Sequence, residues 1–452
     1  MYFKYYMDGT VGYYKSVNQM TKRELFTYII SFTMLLIAVF SVINFPGPFT
    51  NVMTYLQNTF FWWLIEALIL VAFFLNSYYF LEKGNVQNLK VVQLYLLWNI
   101  ICIFRGTLIA ENYWDWKGLI GASFGMLIPI VTYSVTSKMV LQSMLSFYVK
   151  YALPLFVIIA FAITTDAYGF YLIPISFFMM FFPLLVVRWK IVIFAITMLV
   201  IIIDLGARSN VLKFGLPILL MSIYYFRTMI TLKLFEFVRI LLLITPILLF
   251  LMAISGVFNV FNMDQYIKGN YKVVERDSKG QLEESNLTTD TRTFLYVDVL
   301  QTAKIYDCWW FGRSPARGNI SDSFGDEDKS GRGERLGNEA GILNVFMWTG
   351  MVGVICLLLV FYKASYLSIH QSNNIFSKII GIYVAFRWLY IWVEDSGDFN
   401  LSTIFLWSMI GVCFSKSFRN MTNTEVKVWI RGILDNRYKK YFLKLSSSTD
   451  IK

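Results

Sequence analysis

Histidine is nearly absent from this 452-residue chain: only His370 is present. It falls where a short inner loop is expected, which removes mechanisms built on an imidazole. Cysteine is scarce too. Cys102, Cys356 and Cys413 lie in apolar runs and Cys308 in a polar stretch, with no metal-type spacing, so neither disulfides nor zinc are expected. Charge is the third shortage. Only 15% of residues are charged, against about 25% in soluble domains, which excludes a soluble enzyme. Aromatic residues make up 18%, which excludes a disordered chain.

What remains is apolar: 57% of residues are hydrophobic. The net charge of +11 would suggest nucleic acid in a soluble protein. In a membrane protein it fits cytoplasmic loops that fix orientation, and no nucleic acid partner is expected. A spanning helix needs about 20 apolar residues. We read twelve such runs, at 25–45, 59–80, 90–110, 118–136, 148–165, 167–187, 190–204, 209–226, 235–258, 341–362, 376–394 and 400–418. The first follows a charged start without a cleavage site and reads as an anchor. The expected fold class is therefore an all-α polytopic membrane protein.

Basic residues test the orientation. With the N-terminus inside, the short inner loops and their edges hold Lys83, Lys90, Lys138, Lys150, Arg188, Lys190, Arg227, Lys233, Lys363 and Lys378. The outer ones hold Lys117 and Arg208, with Lys213 just inside a span. The asymmetry places both termini in the cytoplasm. The organisation expected is a cytoplasmic start at 1–24, nine helices over 25–258, a large outer loop at 259–340, three helices over 341–418 and a basic inner tail at 419–452. The tail alternates basic and apolar residues from Val426 onward, which suits a helix on the anionic inner leaflet, or else a solvated tail.

The outer loop carries a net charge of −3. Residues 289–311 show apolar positions at helical spacing and predict an amphipathic helix on the membrane, N-capped near Thr289 or Asp290. Residues 312–337, rich in Gly, Ser and Asp, predict a mobile lid or loop. Asp326-Glu327-Asp328-Lys329-Ser330-Gly331 resembles the start of a calcium loop, but Gly337 stands where the bidentate carboxylate belongs, so no metal is expected. Trp309-Trp310 predicts an anchor at headgroup level.

Ionisable residues inside a membrane are costly and mark candidate sites. Glu66, Arg105, Arg208 and Arg387 fall in the outer half of a span or at its rim, and Glu394, Asp395 and Asp398 on the last outer connection. An arginine cluster at that depth suits a phosphate-bearing lipid, because guanidinium binds phosphate through a planar fork. The alternatives are packing ion pairs, Arg105 with Glu66 or Arg387 with Glu394, and snorkelling at Arg208 and Lys213.

Three patches carry a resemblance. Gly206-Ala207-Arg208-Ser209-Asn210 opens a span after an outer turn. Arg292 precedes a helical run that ends in Asp307-Cys308-Trp309-Trp310-Phe311-Gly312. Asn338-Glu339-Ala340-Gly341-Ile342-Leu343 leads into Trp348-Thr349-Gly350-Met351-Val352-Gly353. Their order and topology over roughly 200–360 resemble the O-antigen polymerase and ligase family, Wzy-type membrane glycosyltransferases of the GT-C class. Ligases of that family usually carry a histidine where Glu339 stands, a departure that favours a polymerase.

The resemblance implies transfer of an undecaprenyl-diphosphate-linked oligosaccharide onto a second lipid-linked repeat, at the outer face of a bacterial inner membrane. It implies inversion at the anomeric carbon, without metal or cofactor, in O-antigen (lipopolysaccharide) or capsule biosynthesis. A chain-length regulator is implied as a partner. Arg208 and Arg292 would stabilise the departing diphosphate, with Arg313, Arg317 and Arg335 as further candidates. Glu339 would act as general base, or else cap the following helix. A ligase acting on a lipid core and a lipid-linked oligosaccharide flippase are the rival expectations.

Overall fold

A computed structural model describes residues 22–43, 45, 59–81, 83–203, 208–262, 266, 272–276, 282–286, 292–321, 333–439 and 442. The chain is mostly helical. Helices α1 (Lys22–Phe40), α2 (Thr59–Phe80), α3 (Val86–Ile109), α4 (Tyr113–Val135) and α5 (Lys138–Ile159) come first. The short α6 (Tyr168–Tyr171) and α7 (Ile173–Met180) follow, then α8 (Val187–Ile203), α9 (Arg208–Tyr225) and α10 (Leu232–Ile254). A hairpin of β1 (Lys272–Arg276) and β2 (Leu282–Asn286) precedes α11 (Thr293–Ile305). Strands β3 (Asn319–Ile320) and β4 (Glu334–Arg335) pair antiparallel. The chain continues through α12 (Gly341–His370), α13 (Ile375–Ile391), α14 (Leu401–Phe414), α15 (Lys416–Arg419) and α16 (Asn423–Leu434).

Among the described helices, α2, α3, α4, α5, α10 and α12 are long and apolar enough to cross a membrane. Their exposed residues are large and apolar: Phe74 and Phe104 on α2 and α3, Phe237 and Leu248 on α10. Water would not tolerate that surface, and lipid does. Polar caps fix several helix starts. Asn112 accepts from Asp115 N, Thr231 from Leu234 N, Asn374 from Ser377 N and Asn400 from Thr403 N. Each satisfies a backbone donor that has no partner within its helix.

The apolar run read at 167–187 is the largest departure from one helix per run. Proline at 174 and 183 breaks it into short turns, and all eight residues of α7 are buried. Such broken backbone survives at depth only where protein surrounds it. Tyr148 and Tyr171 brace it, Tyr148 Oη donating to Tyr171 O and Tyr171 Oη to Ala152 O. The run expected at 148–165 belongs to α5, which begins ten residues earlier, at Lys138.

Helix α12 is the central element and lies against α3, α13 and α14. It runs about 45 Å, at 1.5 Å per residue, from a Glu339 end to a His370 end. His370 is its last residue rather than a loop residue, and its Nε2 lies 2.8 Å from Glu236. The apolar face of α16 packs on protein, not on a leaflet: Trp429 is fully buried, and its Nε1 donates to Lys138 O. The leaflet-bound tail is thereby corrected over 423–434, because Phe177, Phe181 and Phe418 use up that face.

Candidate functional site

Helix α12 is interrupted at Gly350, whose φ is +68°. The turn Trp309–Ser314 fills the interruption. Met351 N donates to Trp309 O, Val352 N to Trp310 O, and Arg313 N to Met347 O. A Cβ on Gly350 would stand 2.2 Å from Trp310 O, so only glycine allows this approach. Two sequence patches of the resemblance thus meet in space. Arg105 of α3 locks the junction, donating to Phe311 O, Gly312 O and Trp348 O at 2.7, 3.1 and 3.3 Å. It is a clamp on carbonyls, not the ion-pair partner of Glu66.

The junction places the end of α12 beneath α11. Tyr296 of α11 donates to Trp392 O and packs on Phe250 and Phe261. The amphipathic helix expected over 289–311 forms as Thr293–Ile305, with Leu295, Tyr296 and Val299 buried against protein and Val297 and Ile305 exposed. Arg292 stands at its N-cap, and the caps expected at Thr289 and Asp290 lie outside the described residues.

Glu339 is exposed two residues before α12, between two cations. Arg292 Nη2 lies 3.9 Å from one carboxylate oxygen and Arg335 Nη2 3.5 Å from the other. Three residues separated by up to 47 positions thus form one cluster. The other loop arginines are engaged elsewhere. Arg313 donates to Gly318 O and Glu334, with its guanidinium 3.8 Å from the Tyr306 ring centroid. Arg317 pairs with Glu111 at 3.3 Å and approaches Glu334 at 4.0 Å. Both hold the stem of the loop together and are not presented to a diphosphate as expected. Residues 322–332, with the calcium-like stretch and the middle of the expected lid, lie outside the described residues.

Arg208 is exposed at the start of α9. A chain of bonds ties that start to the Glu339 end: Tyr390 Oη donates to Ser209 O, and Gly341 N to Glu394 O. Glu394 forms its ion pair with Lys213, at 2.5 Å, rather than with Arg387. Lys213 is buried and lies over the Phe170 ring, so it does not snorkel. Arg387 is buried beside that pair and over the Tyr390 ring at 5.1 Å.

The α13–α14 connection completes this end. Gly125 of α4 lets it approach, since a Cβ there would stand 1.8 Å from Gly397 O. Asn344 links it to the loop: its Oδ1 accepts from Asn338 N, and its Nδ2 donates to Asn338 O and Asp395 Oδ1. Burial and the adjacent Asp398 carboxylate push Asp395 above the usual carboxylate range. Glu66 of α2 is buried.

Sequence reading missed the Asn338–Asn344–Asp395 chain, since asparagines in a loop and a helix carry no spacing signal. It also missed Glu236 and Arg239 at the His370 end. Arg239 is fully buried, chelates both Glu236 oxygens and lies over Tyr362. Their signal was present as two charges in an apolar run. Compared with known proteins, the chain matches no family model and no curated sequence.

Proposed function

We propose that this protein is a polysaccharide polymerase. It transfers a polyprenyl-diphosphate-linked glycan onto a second lipid-linked repeat unit at the outer face of a bacterial inner membrane, by an inverting, metal-independent displacement. The chain crosses twelve times in this reading, with 167–187 as a broken crossing. The observation that carries it is the Arg292–Glu339–Arg335 cluster at one end of a membrane helix, beneath α11.

The chemistry follows from charge. A leaving diphosphate gains negative charge on oxygen, and pre-placed guanidiniums stabilise it. Arg292 and Arg335 are positioned for this, and Arg208 stands at the same end. Glu339 takes the proton of the acceptor hydroxyl as the new glycosidic bond forms and the bond to diphosphate breaks. In the absence of substrate the two arginines neutralise Glu339. An entering diphosphate draws them to itself and leaves the carboxylate for the hydroxyl.

Glycan profiling of a strain lacking the gene tests the assignment. A polymerase leaves single repeats on the acceptor and no ladder. Long polymer held on the carrier lipid without attachment shows a ligase instead. Repeats trapped on the inner leaflet show a flippase.

A further inference from the structure

Glu339 is exposed, yet the chain on either side of it is buried and bonded in place. Asn344, in the first turn of α12, holds Asn338 at both backbone groups. Its Oδ1 accepts from Asn338 N at 2.7 Å, and its Nδ2 donates to Asn338 O at 2.8 Å. The same Nδ2 donates to Asp395 Oδ1 at 3.1 Å, an oxygen that Gly397 N also holds at 3.0 Å. Asn338 Nδ2 donates to Asn319 Oδ1 of β3 at 3.1 Å. Before Glu339, Arg335 Nε donates to Gly337 O at 2.9 Å. After it, Gly341 N donates to Glu394 O at 3.2 Å, and a Cβ on Gly341 would stand 2.9 Å from Ser396 N. The Glu339 backbone is thus pinned from β3, from α12 and from the α13–α14 connection.

Asn319, Asn338 and Asn344 are each more than nine-tenths buried. Burying amides is costly unless they are bonded, and a bonded buried network specifies one geometry. Over 338–344 the only exposed residue in that geometry is Glu339. We propose that Asn344 is a positioning residue for Glu339: through Asn338 it fixes where the carboxylate stands relative to the acceptor hydroxyl. This rests on the polymerase reading, with Glu339 as its base. A general base works only within hydrogen-bond reach of the proton it takes, and a displacement of about 1 Å costs roughly a hundredfold in rate.

The test is chain growth by full-length protein in liposomes supplied with lipid-linked repeat units. Turnover is expressed per folded molecule, counted from the amplitude of the thermal unfolding transition, so that loss of fold does not register as loss of rate. Asn344→Leu is predicted to lower turnover by about tenfold to a hundredfold and to leave KM for the repeat unit within about twofold. Asn344→Asp removes the donor and sets a second carboxylate against Asp395, so it is predicted to lose turnover as well. Asn344→Asp combined with Asp395→Asn returns a donor to the gap, now from position 395, and keeps the acceptor for Asn338 N. The double variant is predicted to recover most of the turnover that Asn344→Asp loses, and it decides the matter if Asn344→Leu does not fold.

Wild-type turnover in Asn344→Leu, with Glu339→Gln inactive, overturns the proposal and leaves the polymerase reading. A raised KM with turnover unchanged would make Asn344 part of substrate binding and also overturns it, as does a loss in Asn344→Asp that the double variant does not relieve. No chain growth by folded wild type removes the polymerase reading, and the role of Asn344 with it.

Discussion

At the scale of single residues, the decisive contacts surround Glu339. An exposed carboxylate between two guanidiniums gains little stability from them. Removing it is therefore expected to leave the fold intact. Glu339→Gln and Arg292→Ala are predicted to abolish polymer at unchanged protein abundance, read by glycan gel and immunoblot. A normal ladder in either variant removes that residue from the mechanism. Asp395 gives a pH prediction. Its pKa is raised in the folded protein, by burial and then by Asp398. The folded state thus keeps a proton that the unfolded chain has lost. Its contribution is full below the ordinary carboxylate value and is lost as pH rises. Between about pH 5 and pH 9 the melting temperature of wild type is predicted to fall more steeply than that of Asp395→Asn. Parallel curves would contradict this.

Legibility at this scale was uneven. Charges in apolar runs were visible, because a bilayer makes each one conspicuous: Arg105, Arg387 and Glu66 all stood out in the sequence. Their partners were not visible. Arg105 holds carbonyls, which every residue possesses, so no sequence signal marks the contact. Arg313 and Arg317 read as anion binders because their partner Glu334 stands 21 and 17 positions further along the chain, too far for any local spacing to mark the pairing.

At the scale of elements, two devices shape the site. The first is the break of α12, where carbonyls and amides freed at Gly350 are taken up by the Trp309–Ser314 turn and by Arg105. Gly350→Ala forces a left-handed, clashing Cβ, at a cost of roughly 1–3 kcal/mol for the backbone alone. Arg105→Ala removes charge-assisted bonds worth roughly 1.5–3 kcal/mol. Both are predicted to lower the melting temperature of the detergent-purified protein, and unchanged melting would show that the turn holds without them. The second device is the buried Lys213–Glu394 pair, which joins α9 to the α13–α14 connection. Lys213→Met or Glu394→Met alone leaves an unpaired buried charge and costs roughly 3–5 kcal/mol. The double variant is predicted to recover most of that. Additive losses in the double-mutant cycle would mean the two charges do not interact. The sequence showed the Thr-Gly-x-x-Gly segment but not its break, since a glycine in a helix is compatible with either conformation.

At the scale of the whole molecule, hydropathy located nearly every helix to within a few residues. It failed at 138–187, where prolines divide one apolar stretch and the fully buried α7 has the composition of a span without its length. With twelve crossings, alkaline phosphatase fused after residue 112 or 266 is predicted to be active, and fused after 229, 372 or 439 inactive. Activity after 439 would require an odd number of crossings and would put the arginine cluster on the wrong side of the membrane for this reaction.

The most direct test of the central proposal is chain growth in vitro. Purified protein in liposomes is supplied with lipid-linked repeat units, and the products are sized by gel and mass spectrometry. Wild type is predicted to yield polymer increasing by whole repeats with release of polyprenyl diphosphate and no added metal, and Glu339→Gln to yield none. Intact repeat units after prolonged incubation with folded wild-type protein would contradict the assignment.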